Sequence, residues 1–321
     1  MAFKTYGTKQ SSTKTEVDYD ALNKYVVETA DLQERSTLTG FISGIVDLGE
    51  QEQPDAEYEF DGDADDEAAE IKEHPNTYFK DGENEKGKKV RLKCFPQRPT
   101  QCVAIAVDFP DIIIDKGQFY GNSNPQPLRM WLGGSFFIPN RGMVIGRPTP
   151  LSITKKSGSW SFAANHLFYK MAVDAKLVKP GEAFLPQDID QLLGKSFQFQ
   201  VQVYFKENKG KSYFTEYIKY QGALGRKDKP WEPETEPFLI EFDGEHTAEN
   251  MQNLRNHVIN TIKGALNYNT SEIKKYIEKN AGTGEGSDSA QKEESSKQTK
   301  STARKQPVKA ATDDTDDDVP F

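Results

Sequence analysis

Residues that build metal centres and disulfides are scarce in this sequence. Cys94 and Cys102 are the only cysteines among 321 residues, and the four histidines are scattered along the chain. Two cysteines are too few for a disulfide framework or for a zinc site with four thiolate ligands. The sequence therefore predicts neither a bound metal ion nor another cofactor.

Long apolar runs are also missing. Hydrophobic residues make up 35% of the chain, and no run reaches the roughly 18 apolar residues that a membrane-spanning helix needs. Residues 1–16 lack the apolar core of a secretory signal. We therefore expect a cytoplasmic protein with no membrane contact, part of which stays solvated because its hydrophobic content is low.

Basic residues are outnumbered, but the excess of acids is confined to two segments. The net charge is −9, with 41 Lys and Arg against 50 Asp and Glu. Residues 47–73 carry thirteen acids and one base, and residues 313–321 carry five aspartates and no base. Without these contributions of −12 and −5, the remainder has a net charge of +8. That remainder is basic enough to attract phosphate groups.

Composition also divides the chain into parts. A polar arm over residues 1–16 precedes a folded domain over 17–280, in which an acidic insertion at 47–86 is expected to form a loop. Residues 281–312 are rich in Gly, Ser, Lys and Gln, the composition of an unstructured linker. Residues 313–321 form an acidic tip.

Period-two alternation predicts several strands in the folded domain. The clearest is SFQFQVQVYF, in which Phe197, Phe199 and Phe205 are expected to point into the core. Tyr204 lies on the opposite face with the glutamines. Strand character is also present in LTGFISGIVDLG, KKVRLKCF, CVAIAVDF, LRMWLGGSFFI and YFTEYIKY, and helical spacing predicts one helix over 248–266. We expect a mainly β fold with flanking helices (α+β), built on a five-stranded barrel with insertions.

The acidic tip has the sequence DDTDDDVPF. Aspartates followed by an apolar pair ending in Pro-Phe, after a flexible linker, resemble the C-terminal tip of bacterial and phage single-stranded-DNA-binding proteins. In such a tip the terminal aromatic fills a small apolar pocket on a partner protein, and the aspartates approach a basic rim. The alternative is an acidic tail that serves solubility. The resemblance implies these partner-binding residues: Asp313, Asp314, Asp316, Asp317, Asp318, Val319, Pro320 and Phe321.

The body of the chain carries a second resemblance. FISGIVDLGEQ followed by the basic strand KKVRLK resembles strands 1 and 2 of the oligonucleotide-binding barrel (OB-fold) of phage proteins of this family. IDQLLGKSFQFQVQVYFKENKGKSYFTEYI resembles the helix, strand 4, loop and strand 5 of the same barrel. The sequence departs from the family in its long acidic insertion and in residues 97–165, which match no part of it.

The resemblance implies a protein that coats single-stranded DNA without sequence preference during phage DNA replication, recombination and repair. Such a protein works in the cytoplasm of the infected bacterial host. Its tip would recruit polymerase, helicase-primase and recombination proteins.

Sequence-independent binding of single strands needs cations along the DNA backbone and flat aromatic rings on which bases stack. KKVRLK offers a basic strand face, KENKGKS offers a basic hairpin tip, and two tryptophans have basic neighbours. Each basic pattern also suits a solvated face, and each tryptophan also suits a core. The candidate DNA-binding residues are Lys89, Arg91, Lys93, Arg129, Trp131, Lys155, Lys156, Trp160, Tyr204, Lys206, Lys209, Lys211, Tyr213, Tyr217 and Lys219.

Two other functions fit parts of the sequence. Asp108, Asp111 and Asp115 could be metal ligands of a nuclease, although Lys116 directly follows Asp115 and so breaks the acid-x-Lys spacing. A transcription or recombination factor could combine the same tip with a barrel. The scattered histidines do not assemble with a nucleophile and an orienting group. We therefore expect a binding protein rather than an enzyme.

Overall fold

The computed structural model describes residues 17–84, 87–156, 159–208, 210–233 and 236–281. The α-helices are α1 (Tyr19–Ala30), α2 (Ala64–Glu73), α3 (Leu167–Asp174), α4 (Ala248–Met251), α5 (Asn256–Lys263) and α6 (Glu272–Ala281). The strands are β1 (Ser36–Gln51), β2 (Ala56–Phe60), β3 (Tyr78–Glu83), β4 (Lys89–Phe95), β5 (Thr100–Ile114), β6 (Gln126–Trp131), β7 (Ser135–Ile138), β8 (Gly142–Ile145), β9 (Thr149–Pro150), β10 (Ile153–Lys156), β11 (Ser159–Phe162), β12 (Ser196–Asn208), β13 (Lys211–Gly222) and β14 (Phe238–Ile240). The predicted N-terminal arm, the predicted linker after residue 281 and the acidic tip lie outside the described residues. Within those residues, every helix is too short or too polar to cross a membrane.

Five strands form the main antiparallel sheet, in the order β13-β12-β1-β5-β6. Two short strands extend it, since β14 pairs in parallel with β1 and β9 pairs with β5. Strand β1 is shared by both halves of the sheet: Ser36–Phe41 pairs with β12, and Phe41–Gln51 pairs with β5. The pairing of β1 with β5 shifts register after Ile42 and again after Asp47. Such irregularities bend a strand, and here they let one strand serve two neighbours over different parts of its length.

Both faces of the central strands are buried, each by different elements. On one face, α1 and α3 pack against side chains that include Phe199 and Ile105. On the other face, β14, α5 and α6 pack against side chains that include Val46 and Ala104. Burial on both faces explains why β1 and β5 are nearly continuous apolar runs rather than alternating ones.

The mainly β architecture with flanking helices confirms the coarse prediction of the fold. The main sheet does not close into a barrel, because β6 and β13 are its edges and the described residues show no ladder between them. The prediction that the basic strand β4 lies beside β1 as strand 2 is wrong. Strand β5 occupies that position, and it belongs to the segment 97–165 that resembled nothing in the family.

The acidic segment between β1 and β5 is folded, which differs from the loop predicted over 47–86. Strands β2, β4 and β3 form a separate three-stranded sheet, and α2 packs beside it. Ion pairs join α2 to β4, since Glu67 binds Arg91 and Glu70 binds Lys93. From composition alone, the acids of this segment are expected to repel one another. In the structure, the cations of β4 neutralise some of them. We name residues 56–95 the acidic subdomain.

The C-terminal helical segment is broken, so the single helix predicted over 248–266 is wrong. Helix α4 ends at Met251 and α5 begins at Asn256. The apolar positions Leu254, Val258 and Ile262 are buried, as the helical spacing of the segment suggests. Leu266 is 49% exposed instead, because α5 ends before it.

Gly44 allows the ring of Phe238 to lie directly on β1. A Cβ at position 44 would be 2.1 Å from Cζ of Phe238, far inside contact distance. We expect Gly44→Ala to destabilise the fold by about 1–3 kcal/mol through overpacking, measured as a lower urea midpoint. Adding Phe238→Leu should recover part of the loss, since the smaller side chain vacates the space. Equal midpoints for Gly44→Ala and the unaltered protein would contradict this packing.

Candidate nucleic-acid interface

The hairpin formed by β12 and β13 has one apolar face. Phe197 and Phe199 are completely buried, which confirms their predicted place in the core. Phe205 was predicted to join them, and this is wrong, because its side chain is 40% exposed. Its strand continues past the edge of the core, where the ring packs edge-on against Phe214 at 6.3 Å between centroids.

The opposite face of the hairpin is polar along its whole length. On β12 its side chains alternate with the buried ones, and the antiparallel register places those of β13 directly across from them. We name this surface the glutamine–tyrosine face. It consists of Gln198, Gln200, Gln202, Tyr204, Lys206, Lys211, Tyr213, Thr215, Tyr217 and Lys219.

Charges of opposite sign lie on opposite faces of this hairpin. Lys206, Lys211 and Lys219 belong to the glutamine–tyrosine face, whereas Glu207 and Glu216 alternate to the other face. The described strand residues of the face therefore include cations but no carboxylate. A surface of this kind has a positive potential that attracts polyanions.

The segment before β1 adds a further cation. The side-chain nitrogen of Gln202 donates a hydrogen bond to the carbonyl oxygen of Gln33 at 2.8 Å, which holds this segment against the face. The guanidinium carbon of Arg35 lies 4.6 Å from the centroid of the Tyr217 ring, a cation–π contact. The Tyr217 hydroxyl donates to Oε1 of Gln200 at 3.3 Å. Two contacts therefore fix the orientation of the Tyr217 ring.

Aromatic rings are accessible on the same face. Tyr213 is 51% exposed and lies directly across the ladder from Lys206. Tyr204 and Tyr217 are partly exposed. Exposed rings can stack on nucleobases, lysines can contact phosphates, and glutamine amides can donate to or accept from either.

The structure brings together most of the DNA-binding residues predicted on this hairpin. They are Tyr204, Lys206, Lys211, Tyr213, Tyr217 and Lys219. Lys209 lies outside the described residues. Sequence reasoning missed Arg35 and the three glutamines. The glutamines share the alternation of Tyr204 and could have been found from it, but no local signal connects Arg35 with Tyr217.

A second exposed pairing of a cation with an aromatic ring occurs on the hairpin of β10 and β11. Lys155 and Trp160 are direct cross-strand partners, and Trp160 is 55% exposed. This hairpin forms a two-stranded sheet of its own, separate from the main sheet. The side chain of Lys156 lies outside the described residues.

The cations predicted on β4 are already engaged by acids. Nε and Nη2 of Arg91 donate to the two carboxylate oxygens of Glu67 at 2.6 and 3.0 Å. Lys93 Nζ donates to Glu70 at 2.6 Å. These hydrogen bonds lower the pKa of both Glu67 and Glu70. Carboxylates thus engage both Arg91 and Lys93, which leaves Lys89 as the exposed cation of the three.

Arg129 has a structural position, contrary to its predicted contact with DNA. Its Nε and Nη2 donate to the two oxygens of Asp108 at 2.7 and 2.9 Å. Asp108 is only 4% exposed and also accepts from the Ser43 hydroxyl at 2.8 Å. The third guanidinium nitrogen donates to Asn253 at 3.1 Å. The bidentate pair therefore joins β5 to β6, and the bond to Asn253 connects β6 to the segment between α4 and α5.

Trp131 is buried as well, so its predicted stacking on DNA is wrong. Its side chain is 2% exposed and lies in the core between the sheet and α5. The ring of His257 packs edge-on against it at 5.9 Å between centroids. A basic neighbour in the sequence gave no information about which face of β6 the indole occupies.

The aspartates considered as nuclease ligands are dispersed. Both oxygens of Asp108 are bound by Arg129, and Asp115 accepts from the Ser123 hydroxyl and the Asn124 amide. Asp111 is exposed on β5. Over the described part of the chain, His, Cys, Asp and Glu side chains do not gather in groups of three that could hold a metal ion.

Comparison with known proteins gives no assignment. No family model, curated protein or solved structure matches the chain.

The Asp108–Arg129 pair provides a test of the structural position of Arg129. Arg129→Ala leaves a buried carboxylate without its partner and should cost about 3–5 kcal/mol of unfolding free energy. Asp108→Asn in the same chain should recover part of that loss, because a neutral amide needs no counter-charge. Urea denaturation measures both variants. An unchanged stability of Arg129→Ala would place the guanidinium outside the core.

His257 should make stability depend on pH. Burial and the nearby charge of Arg255 lower the pKa of His257 to about 3, whereas an unfolded chain has a value of about 6.5. The unfolded state therefore binds more protons between these values. Stability from neutral His257 is fully present above about pH 6.5 and is lost on acidification towards pH 3, by about 1.4 kcal/mol per pH unit.

The comparison of His257→Gln with the unaltered protein isolates this contribution. The variant should show a flatter dependence of unfolding free energy on pH over that window, and His74→Gln, at the exposed end of α2, is the matched control. Parallel profiles for all three proteins would show that His257 protonates freely in the folded state.

Proposed function

We propose that this protein binds single-stranded DNA without sequence preference through the glutamine–tyrosine face. The observation that carries the proposal is the composition of that face: accessible tyrosines, lysines and amides along one surface of a hairpin, with the acids of the same strands on the other surface. This combination suits a binding role rather than catalysis.

Stacking and charge supply different parts of the binding energy. Each base stacked on an aromatic ring contributes about 1–3 kcal/mol and tolerates every base, because all bases have a π-face. Contacts between lysines and phosphates release counterions and make affinity depend on salt. Tyr204, Tyr213 and Tyr217 would supply the first part, and the cations of the face the second.

The architecture supports the choice of this hairpin. The oligonucleotide-binding fold is a partly open five-stranded barrel that binds through the face of strands 2 and 3 and through its 1–2 and 4–5 loops. Here the surface of β5 and β6 that contains Ala106 and Trp131 is covered by α5 and its neighbours. If β12 and β13 correspond to strands 4 and 5, the tip of their hairpin corresponds to the 4–5 loop, and Lys206 and Lys211 are exposed there.

The acidic tip would recruit proteins rather than DNA. We propose that Asp313–Phe321 docks its terminal Val-Pro-Phe into apolar pockets on phage polymerase, helicase-primase and recombination proteins. The DNA-coating role would then belong to phage DNA replication, recombination and repair in the cytoplasm of the bacterial host. This part of the proposal depends on the sequence of the tip.

Tyr213 offers the most direct test of the interface. Tyr213→Ala should weaken binding of a labelled dT oligonucleotide about 5- to 150-fold, which corresponds to the loss of one stacked base. Fluorescence anisotropy at low and moderate salt measures the effect. Tyr58→Ala is the matched control, since Tyr58 is 59% exposed but lies in the acidic subdomain. Absence of dT binding by the unaltered protein at low salt would refute the proposal.

A further inference from the structure

The segment that follows β13 begins with a short basic stretch, and Glu232, Glu234 and Glu236 come after it in the sequence. Residues 223–231, which we name the basic loop, include Arg226, Lys227 and Lys229. All three side chains are exposed, and none of them pairs with a carboxylate among the described residues. Asp228 is the acid within this loop, and its carboxylate is engaged in hydrogen bonds. The loop therefore presents three cations to solvent.

Two contacts fix the basic loop to the end of the glutamine–tyrosine face. Oδ2 of Asp228 accepts a hydrogen bond from the side-chain nitrogen of Gln198 at 2.8 Å and from the Gly225 amide at 3.0 Å. The backbone amide of Trp231 donates to the Ser196 hydroxyl at 2.9 Å. Because Gln198 is a member of the face, its bond to Asp228 places the loop beside the same surface.

The face thus has cations at both ends. Lys206 and Lys211 lie at the hairpin tip, and the basic loop lies at Gln198. Ten residue steps of β12 separate Gln198 from Asn208, which corresponds to about 33 Å at the usual rise of a strand. Tyr204, Tyr213 and Tyr217 lie on the face between these two ends.

We infer that the basic loop is a second phosphate-binding site, so that a DNA strand runs along the full length of the hairpin from its tip to the loop. The inference rests on the proposed function, and it adds a defined path and binding residues that lie off the strands. Asp228 is a positioning residue in this arrangement, because it holds the loop through Gln198 and does not itself contact an anion.

A variant in which Arg226, Lys227 and Lys229 are all replaced by Ala tests this phosphate-binding site. Affinity for a dT oligonucleotide of about 20 nucleotides should fall at least about tenfold, and its salt slope should fall by roughly 2, since each lost phosphate contact on a single strand removes about 0.7. An oligonucleotide of about 5 nucleotides is close to the shortest site that an oligonucleotide-binding fold uses. It should bind nearly as before at the tip of the β12–β13 hairpin.

The matched control replaces Lys263, Lys275 and Lys279 by Ala, which removes the same charge from exposed positions on the C-terminal helices. If the long oligonucleotide binds the loop variant and this control with equal affinity and equal salt slope, the basic loop is not a phosphate-binding site. If the unaltered protein binds neither oligonucleotide, the proposed function itself fails. If Tyr213→Ala weakens binding while the loop variant matches its control, the inference alone fails.

Asp228→Ala tests the positioning separately. This variant gains one unit of positive charge, so an effect of net charge alone would tighten binding of the long oligonucleotide. Loss of the anchor should instead weaken it several-fold and lower its salt slope, with binding of the short oligonucleotide and the urea midpoint unchanged. Tighter binding of the long oligonucleotide would overturn the role of Asp228.

Discussion

Strand β1 must pair along two edges while both of its faces are buried, and the rest of the structure is arranged around that requirement. It pairs with β12 of the β12–β13 hairpin along one edge and with β5, which is followed by β6, along the other edge. Strand β14 pairs with part of its length. Glycine at position 44, where a ring lies against the backbone, and the shifts in register make this possible. The acidic subdomain is inserted between β1 and β5 and interrupts neither strand.

This arrangement also decides which surfaces remain accessible. Helix α5 and its neighbours cover one surface of the sheet, and α1 and α3 cover another. The polar side of the β12–β13 hairpin remains open. The net charge of −9 is compatible with cations on that side, because the acids are concentrated in other segments and some of them, such as Glu67 and Glu70, are paired within the acidic subdomain. At physiological salt, charges more than about 8 Å away are largely screened from the face.

Part of the fold and of the candidate interface could be predicted from local patterns. Alternation along β12 assigned Phe199 to the core and Tyr204 to the polar face, and the basic hairpin tip led to Lys206 and Lys211. The same reasoning failed for Trp131, which resembles Trp160 in its basic neighbours. One indole is buried under α5 and the other is exposed on a small hairpin, and nothing near either residue in the sequence distinguishes them.

Local sequence was enough to show which side chains share a face, because strand alternation has a period of two residues and is visible within one segment. Which charges are paired depends on how separate elements pack. Arg91 meets Glu67 across 24 residues, Arg129 meets Asp108 across 21, and Gln198 meets Asp228 across 30. Such partners are brought together by the packing of separate elements. For that reason the strand face of Arg91 and Lys93 was predictable, whereas its neutralisation by a helix was not.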